Sequence, residues 1–148
     1  MIRILFVCHG NICRSPMAEF VMKDLVEKQG RSAEFTIASA ATSTEEIGNG
    51  VYPPAKAMLR KHGVSCEGKR AVQLRREDYD KYDLLIGMDS ANIRNMQRIC
   101  GGDRQGKIRK LMDYTDRGGD VADPWYTDRF DVAYRDIYDG CVALLSSL

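Results

Sequence analysis

Hydrophobic and polar positions change period along this chain, and the changes divide it into alternating strands and helices. Ile2 to Val7 is apolar at every position but Arg3, which predicts a first strand ending beside Cys8. After Ser15 the period becomes helical, with Ala18, Val21, Met22, Leu25 and Val26 at i, i+3, i+4, i+7 and i+8, a stripe that packs on a sheet. Phe35 to Ser39 predicts a second strand, Pro54 to His62 a helix stopped by Gly63, and Leu84 to Gly87 a third strand. Asp89 stands where it can cap the next helix, which Gly101 and Gly102 end. Lys107 to Met112 predicts a fourth strand. Phe130, Ala133, Tyr134, Ile137, Cys141, Leu144, Leu145 and Leu148 line one face of a closing helix. Gly140 within that helix costs about 1 kcal/mol against Ala.

Strands separated by helices imply right-handed crossovers and a parallel sheet covered on both faces. The expected fold is therefore α/β, three layers around a four-stranded parallel sheet. Ligands of such open sheets bind beyond the carboxyl ends of the strands, at a switch in strand order. Cys8 ends the first strand and so falls in that region.

Length and charge narrow the function. The 148 residues suit one domain, residues 1–148, with a real core. The formal charge of +1 provides no global field for nucleic acid or an anionic membrane, and the basic run KIRK at 107–110 reads as a solvated edge. MIRILFVC is too short in its apolar run for a signal peptide, so a cytoplasmic protein without membrane association is expected. Five cysteines and two histidines without paired CxxC spacing argue against a structural zinc site or a disulfide framework.

The chemistry concentrates in CHGNICRSP, residues 8–16. A free thiol is only a few per cent ionised at neutral pH, so Cys8 needs help to act as a nucleophile. Arg14 and the positive end of the following helix favour the thiolate. Gly10 lets the backbone curl and Asn11 tolerates a left-handed conformation, so that loop amides turn inward toward an oxyanion. Arg14 can hold two of its oxygens. Ser15 and Pro16 read as N-cap and first helical residue, and the Ser15 hydroxyl can accept a helix amide while directing its proton at Cys8. The Cys-x5-Arg spacing carries little weight alone in a chain with five cysteines. Its strand, its Gly-Asn loop and its Ser-Pro helix start give it weight together. A cysteinyl-phosphate route also requires a proton donor. The loop 113–125 offers four aspartates, of which Asp123 is restricted by Pro124 and preceded by Gly118 and Gly119.

CHGNICRSP, SAATS at 39–43 and ADPW at 122–125 resemble the low molecular weight protein tyrosine phosphatases, and the likeness runs over essentially the whole chain. The resemblance implies the flavodoxin-like phosphotyrosine protein phosphatase I fold and hydrolysis of phosphotyrosine and aryl phosphates without metal or cofactor. It makes Cys8 the nucleophile, Arg14 the phosphate ligand and Asp123 the general acid, then base. His9, Gly10, Asn11, Ile12 and Cys13 would bind the substrate, with Trp125 and Tyr126 walling the entrance. Asn11 and Ser39 would form a hydrogen-bond pair shaping the loop, and Ser15 would stabilise the thiolate. Cys13 matches a second loop cysteine able to form a reversible disulfide with the nucleophile. The implied partner is a tyrosine-phosphorylated protein. The expected state is a monomer, with a weak dimer as the alternative.

Two departures stand at the mouth: His9 where many relatives carry Leu, and Glu45 where an aromatic residue is often found. Glu45 and Glu46 would repel acidic peptides there, although a charge pair in a loop is usually just solvated. Rival readings are an arsenate reductase, for which Cys66, Cys100 and Cys141 lack a close downstream pair, and a protein arginine phosphatase, which usually has Thr where Ile12 stands. A non-catalytic phosphate- or flavin-binding module would need neither the thiol nor the acid.

Overall fold

The apolar run at the start forms β1 (Ile2–Cys8), and its side chains divide by the period of a strand. Ile4 and Phe6 enter one core, Leu5 and Val7 the other, and all four are buried. A strand apolar on both faces must lie inside a sheet. The computed structural model, which describes all 148 residues, places β1 between β2 (Phe35–Ala41) and β3 (Leu84–Gly87). β4 (Ile108–Lys110) pairs with β3, so the fully parallel sheet has the order β2-β1-β3-β4. The chain moves to one side of β1 and then to the other. The switch in strand order thus lies at the carboxyl end of β1, beside Cys8.

Helices α1 (Arg14–Lys28), α2 (Pro53–Lys61) and α6 (Phe130–Ser146) cover the face that Ile4 and Phe6 share, with Met17, Met22, Leu59, Ile137 and Leu144 in the common core. Short α3 (Asp78–Lys81) and α4 (Ser90–Cys100) bring Tyr79 and Met96 against Leu5, Val7 and Leu85 on the other face. Asp89 caps α4 as expected: its side chain accepts from Asn92 N–H at 2.7 Å in a capping box, and Gly101 ends the helix at φ 77°. The three-layer α/β fold expected from the sequence is the one observed. No helix is long and apolar enough to cross a membrane.

Four local expectations are corrected. Helix α1 begins at Arg14 with Cys13 as its cap residue and no side-chain cap, so Ser15 and Pro16 are its second and third residues. Strand β2 continues two residues past Ser39, where Ala41 pairs with Cys8 and is also bonded by the segment Val72–Leu74. The second helix is shifted by one residue, to Pro53–Lys61. The fourth strand spans only Ile108–Lys110, because the chain then turns in a tight 3-10 turn, Leu111–Tyr114, that drives Leu111 and Met112 into the core. Leu111 lies against α6, where a β-carbon on Gly140 would stand 2.6 Å from its Cγ. That close approach accounts for a glycine inside a helix. The four-residue helix α5 (Pro124–Thr127) completes the set.

Candidate active site

The loop after β1 turns sharply at Asn11, whose φ of 59° is one of only two positive values outside glycine. This left-handed turn carries the chain from strand into helix within five residues. Its strain is held by the buried Asn11 side chain, in which Oδ1 accepts from Val72 N–H at 3.1 Å, fixing the amide's orientation. Nδ2 then donates to Ser39 Oγ at 2.9 Å and to Ser15 Oγ at 2.7 Å. Ser39 Oγ donates in turn to the buried Glu19 Oε1 at 2.6 Å.

The direction of each bond follows from the ends of this chain. A carboxylate can only accept, so Ser39 gives its proton to Glu19 and receives from Asn11. Ser15 also receives from Asn11, which leaves its own proton for Cys8 Sγ, 3.0 Å away. The sequence expectation that Ser15 accepts a helix amide is corrected, since its donor is the Asn11 side chain. The Ser15 N–H lies 3.4 Å from the same sulfur, so this first-turn amide faces the thiol rather than a capping side chain. Lys69 Nζ donates to the Ser39 carbonyl at 2.9 Å and lies 3.5 Å from Glu19, which also binds Lys23. Burial draws the Lys69 pKa below its ordinary value against the pull of Glu19.

Arg14 is 2 % exposed. Its Nη1 donates to Asp89 Oδ2 at 2.7 Å and to the Val121 carbonyl at 2.8 Å, and Nη2 lies 3.4 Å from Asp123 Oδ2. Nε–H and a second Nη2 proton remain on the edge that can bind an anion bidentately. Burial works against this charge, but Cys8, Asp89 and Asp123 outweigh it and hold the Arg14 pKa above its usual value. Asp123 is oriented from both sides, because its Oδ1 accepts from Trp125 N–H at 3.0 Å as the cap of α5.

These groups surround a cavity of about 120 Å³. Cys8, Ile12, Cys13 and Arg14 line it together with Asp123, Trp125 and Tyr126, and His9, Gly10, Glu45 and Glu46 complete the lining. Trp125 packs on Tyr52 with ring centroids 4.9 Å apart, whereas Tyr126 is 84 % exposed. Asn11, expected among the substrate-binding residues, does not line the cavity, and its side chain sits behind the loop with Ser15 and Ser39. Cys8 and Cys13 are both free thiols. Burial first, then the charges of Cys8 and Asp123, push the Cys13 thiol up to about 12.

Sequence reasoning missed Glu19, Lys69 and the second role of Asp89. Glu19 interrupts the apolar stripe of α1 between Ala18 and Val21, a detectable sign of a buried charge. Asp89 lies two residues past the end of β3, the strand beside β1, a position which the switch-point rule could have flagged. Lys69 has no sequence signal.

A parallel α/β sheet with a thiol faced by a helix amide and a hydroxyl, and an anchored guanidinium at its switch point, defines an oxyanion-handling thiol enzyme. Residues 3–148 match the family model described as low molecular weight phosphotyrosine protein phosphatase. The low molecular weight protein-tyrosine-phosphatase YfkJ of Bacillus subtilis is 39% identical over 150 residues, covering 100% of this chain and 96% of that protein. Its crystal structure superposes with a TM-score of 0.96 over 99% of this chain and 94% of that one. The low molecular weight phosphotyrosine protein phosphatase of Rattus norvegicus is 37% identical over 96% of this chain and 92% of its own length. The chain belongs to the low molecular weight phosphotyrosine protein phosphatase family, protein-tyrosine phosphatases that act on phosphotyrosine-containing substrates.

Proposed function

We propose that Cys8, Arg14 and Asp123 carry this phosphatase reaction in two steps. The Cys8 thiolate attacks phosphorus, the bond to the tyrosine oxygen breaks, and Asp123 gives that oxygen its proton. Asp123 then takes a proton from water as the water attacks phosphorus, and the sulfur–phosphorus bond breaks to return the thiolate. Arg14 binds two equatorial oxygens throughout, and the loop amides take the charge that builds in the transition state. The convergence of Cys8, the free edge of Arg14 and Asp123 on one small cavity carries this reading. Ile12 and Trp125 supply apolar surface for the phenyl ring, with Gly10, His9, Cys13 and Tyr126 around it.

The same reading takes residues 1–148 as one catalytic domain, on the strength of its length, and as a cytoplasmic monomer. Cys13 would guard Cys8 through a reversible disulfide.

Hydrolysis of p-nitrophenyl phosphate in the presence of chelator tests the mechanism. Cys8→Ser abolishes turnover, Asp123→Ala lowers kcat by about 10² to 10⁴, and Arg14→Ala lowers kcat and raises KM. Full activity of Cys8→Ser, or loss of the parent's activity to chelator, would contradict it. Phosphotyrosine and phosphoarginine assayed side by side separate the tyrosine reading from its arginine rival, and the tyrosine substrate is expected to turn over faster.

A further inference from the structure

The cavity mouth carries a hydrogen-bonded pair, His9 and Glu45, that neither the proton transfers nor phosphate binding uses. His9 Nε2 and Glu45 Oε2 lie 2.9 Å apart, with side chains 51% and 67% exposed. The backbone beneath Glu45 is fixed to the catalytic loop, since Thr42 N–H donates to the Cys8 carbonyl at 2.9 Å and Ser43 N–H to the His9 carbonyl at 3.0 Å. Glu46 follows, but its carboxylate accepts from Asn49 Nδ2 at 2.6 Å within the same turn. The Glu45 carboxylate therefore has His9 as its one partner, at the exposed rim of the cavity.

The charges around the cavity are uneven. Arg14 is the only arginine or lysine in the lining, whereas Glu45, Glu46 and Asp123 are carboxylates. Arg14 is engaged by Asp89, Val121 and the phosphate, so a side chain flanking the phosphorylated residue meets carboxylate at the rim. An exposed pair such as His9 and Glu45 is weak enough to exchange its partner.

We propose that Glu45 reads the charge of the residue beside phosphotyrosine, exchanging His9 for a substrate lysine or arginine and disfavouring glutamate and aspartate. The assignment rests on the phosphotyrosine reading and names the substrate class within it: phosphoproteins with a basic residue next to the target tyrosine. His9 is then the placeholder that shields Glu45 between substrates.

The test uses three phosphotyrosine peptides identical except for lysine, serine or glutamate on either side of the phosphotyrosine. In the parent, kcat/KM falls from lysine to serine to glutamate, with a lysine-to-glutamate ratio of about fivefold to tenfold at low salt that shrinks toward unity at high salt. Glu45→Gln reduces the ratio and Glu45→Lys inverts it. His9→Leu, which leaves Glu45 without a partner, enlarges it. The ratio is read within each variant, so a general loss of rate does not affect it. Equal rates on the three peptides in the parent, or an unchanged ratio in Glu45→Lys, would overturn the proposal while leaving the phosphotyrosine reading in place. Failure to turn over all three would remove both.

Discussion

Ser15 shows how a residue's role depends on which of its bonds are already taken. Its hydroxyl accepts from Asn11, so its proton is available to Cys8, and the same sulfur faces the Ser15 amide. Losing a hydrogen bond to a charged group costs about 1.5–3 kcal/mol, so Ser15→Ala should slow hydrolysis of p-nitrophenyl phosphate by about tenfold or more. Cys13 differs from Cys8 although both line the cavity. Its thiol, raised to about 12, stays protonated, so peptide mapping after brief alkylation at pH 7 should find Cys8 modified and Cys13 not. Equal labelling would remove that distinction. Cys8, Arg14 and Asp123 were legible in the sequence because a short motif and an Asp-Pro step hold them within local frames. Lys69 was not, and Glu19 and Asp89 left only a break in an apolar stripe and a place near the switch point, because their partners are set by contacts such as Arg14 to Asp89, which only the assembled sheet creates.

Gly140 carries the corresponding lesson for an element. Propensity alone says that Gly140→Ala stabilises α6 by about 1 kcal/mol. The structure reverses the sign, because the new β-carbon would meet the buried Leu111 Cγ at 2.6 Å, and overpacking of this kind costs about 1–3 kcal/mol. Denaturant unfolding should therefore show Gly140→Ala less stable than the parent, and a gain in stability would mean that Leu111 yields without cost. The strands and long helices were legible because their burial follows a fixed period, most clearly in the division of Ile4 and Phe6 from Leu5 and Val7. Their ends were not. Helix α1 begins at Arg14 because Asn11's left-handed turn delivers the chain there and the sulfur occupies the place of a side-chain cap. β4 stops early because Leu111 must reach α6, a tertiary demand with no local signature.

For the molecule as a whole, burial of weak acids sets the response to alkali. Burial raises the thiols of Cys13, Cys66, Cys100 and Cys141 and the phenols of Tyr82, Tyr114 and Tyr134 above their ordinary values. Above about pH 9 the unfolded chain releases protons that the fold retains, so the unfolded state binds fewer protons and stability falls as pH rises. Tm measured from pH 7 to 10.5 should decline through the upper part of that range, and Cys141→Ala, at a fully buried site, should flatten the decline while lowering the neutral-pH value. A profile that rises with pH would contradict the sign. The fold exists here to bring one sulfur, one guanidinium and one carboxyl to the end of β1, and the covalent step tests that most directly. With p-nitrophenyl phosphate, whose leaving group needs little help from an acid, Asp123→Asn should form the thiophosphate ester and fail to hydrolyse it. Acid quench during turnover, followed by peptide mass mapping, should then find phosphate on Cys8. Phosphate on another residue, or none on any residue while product still accumulates, would contradict the account.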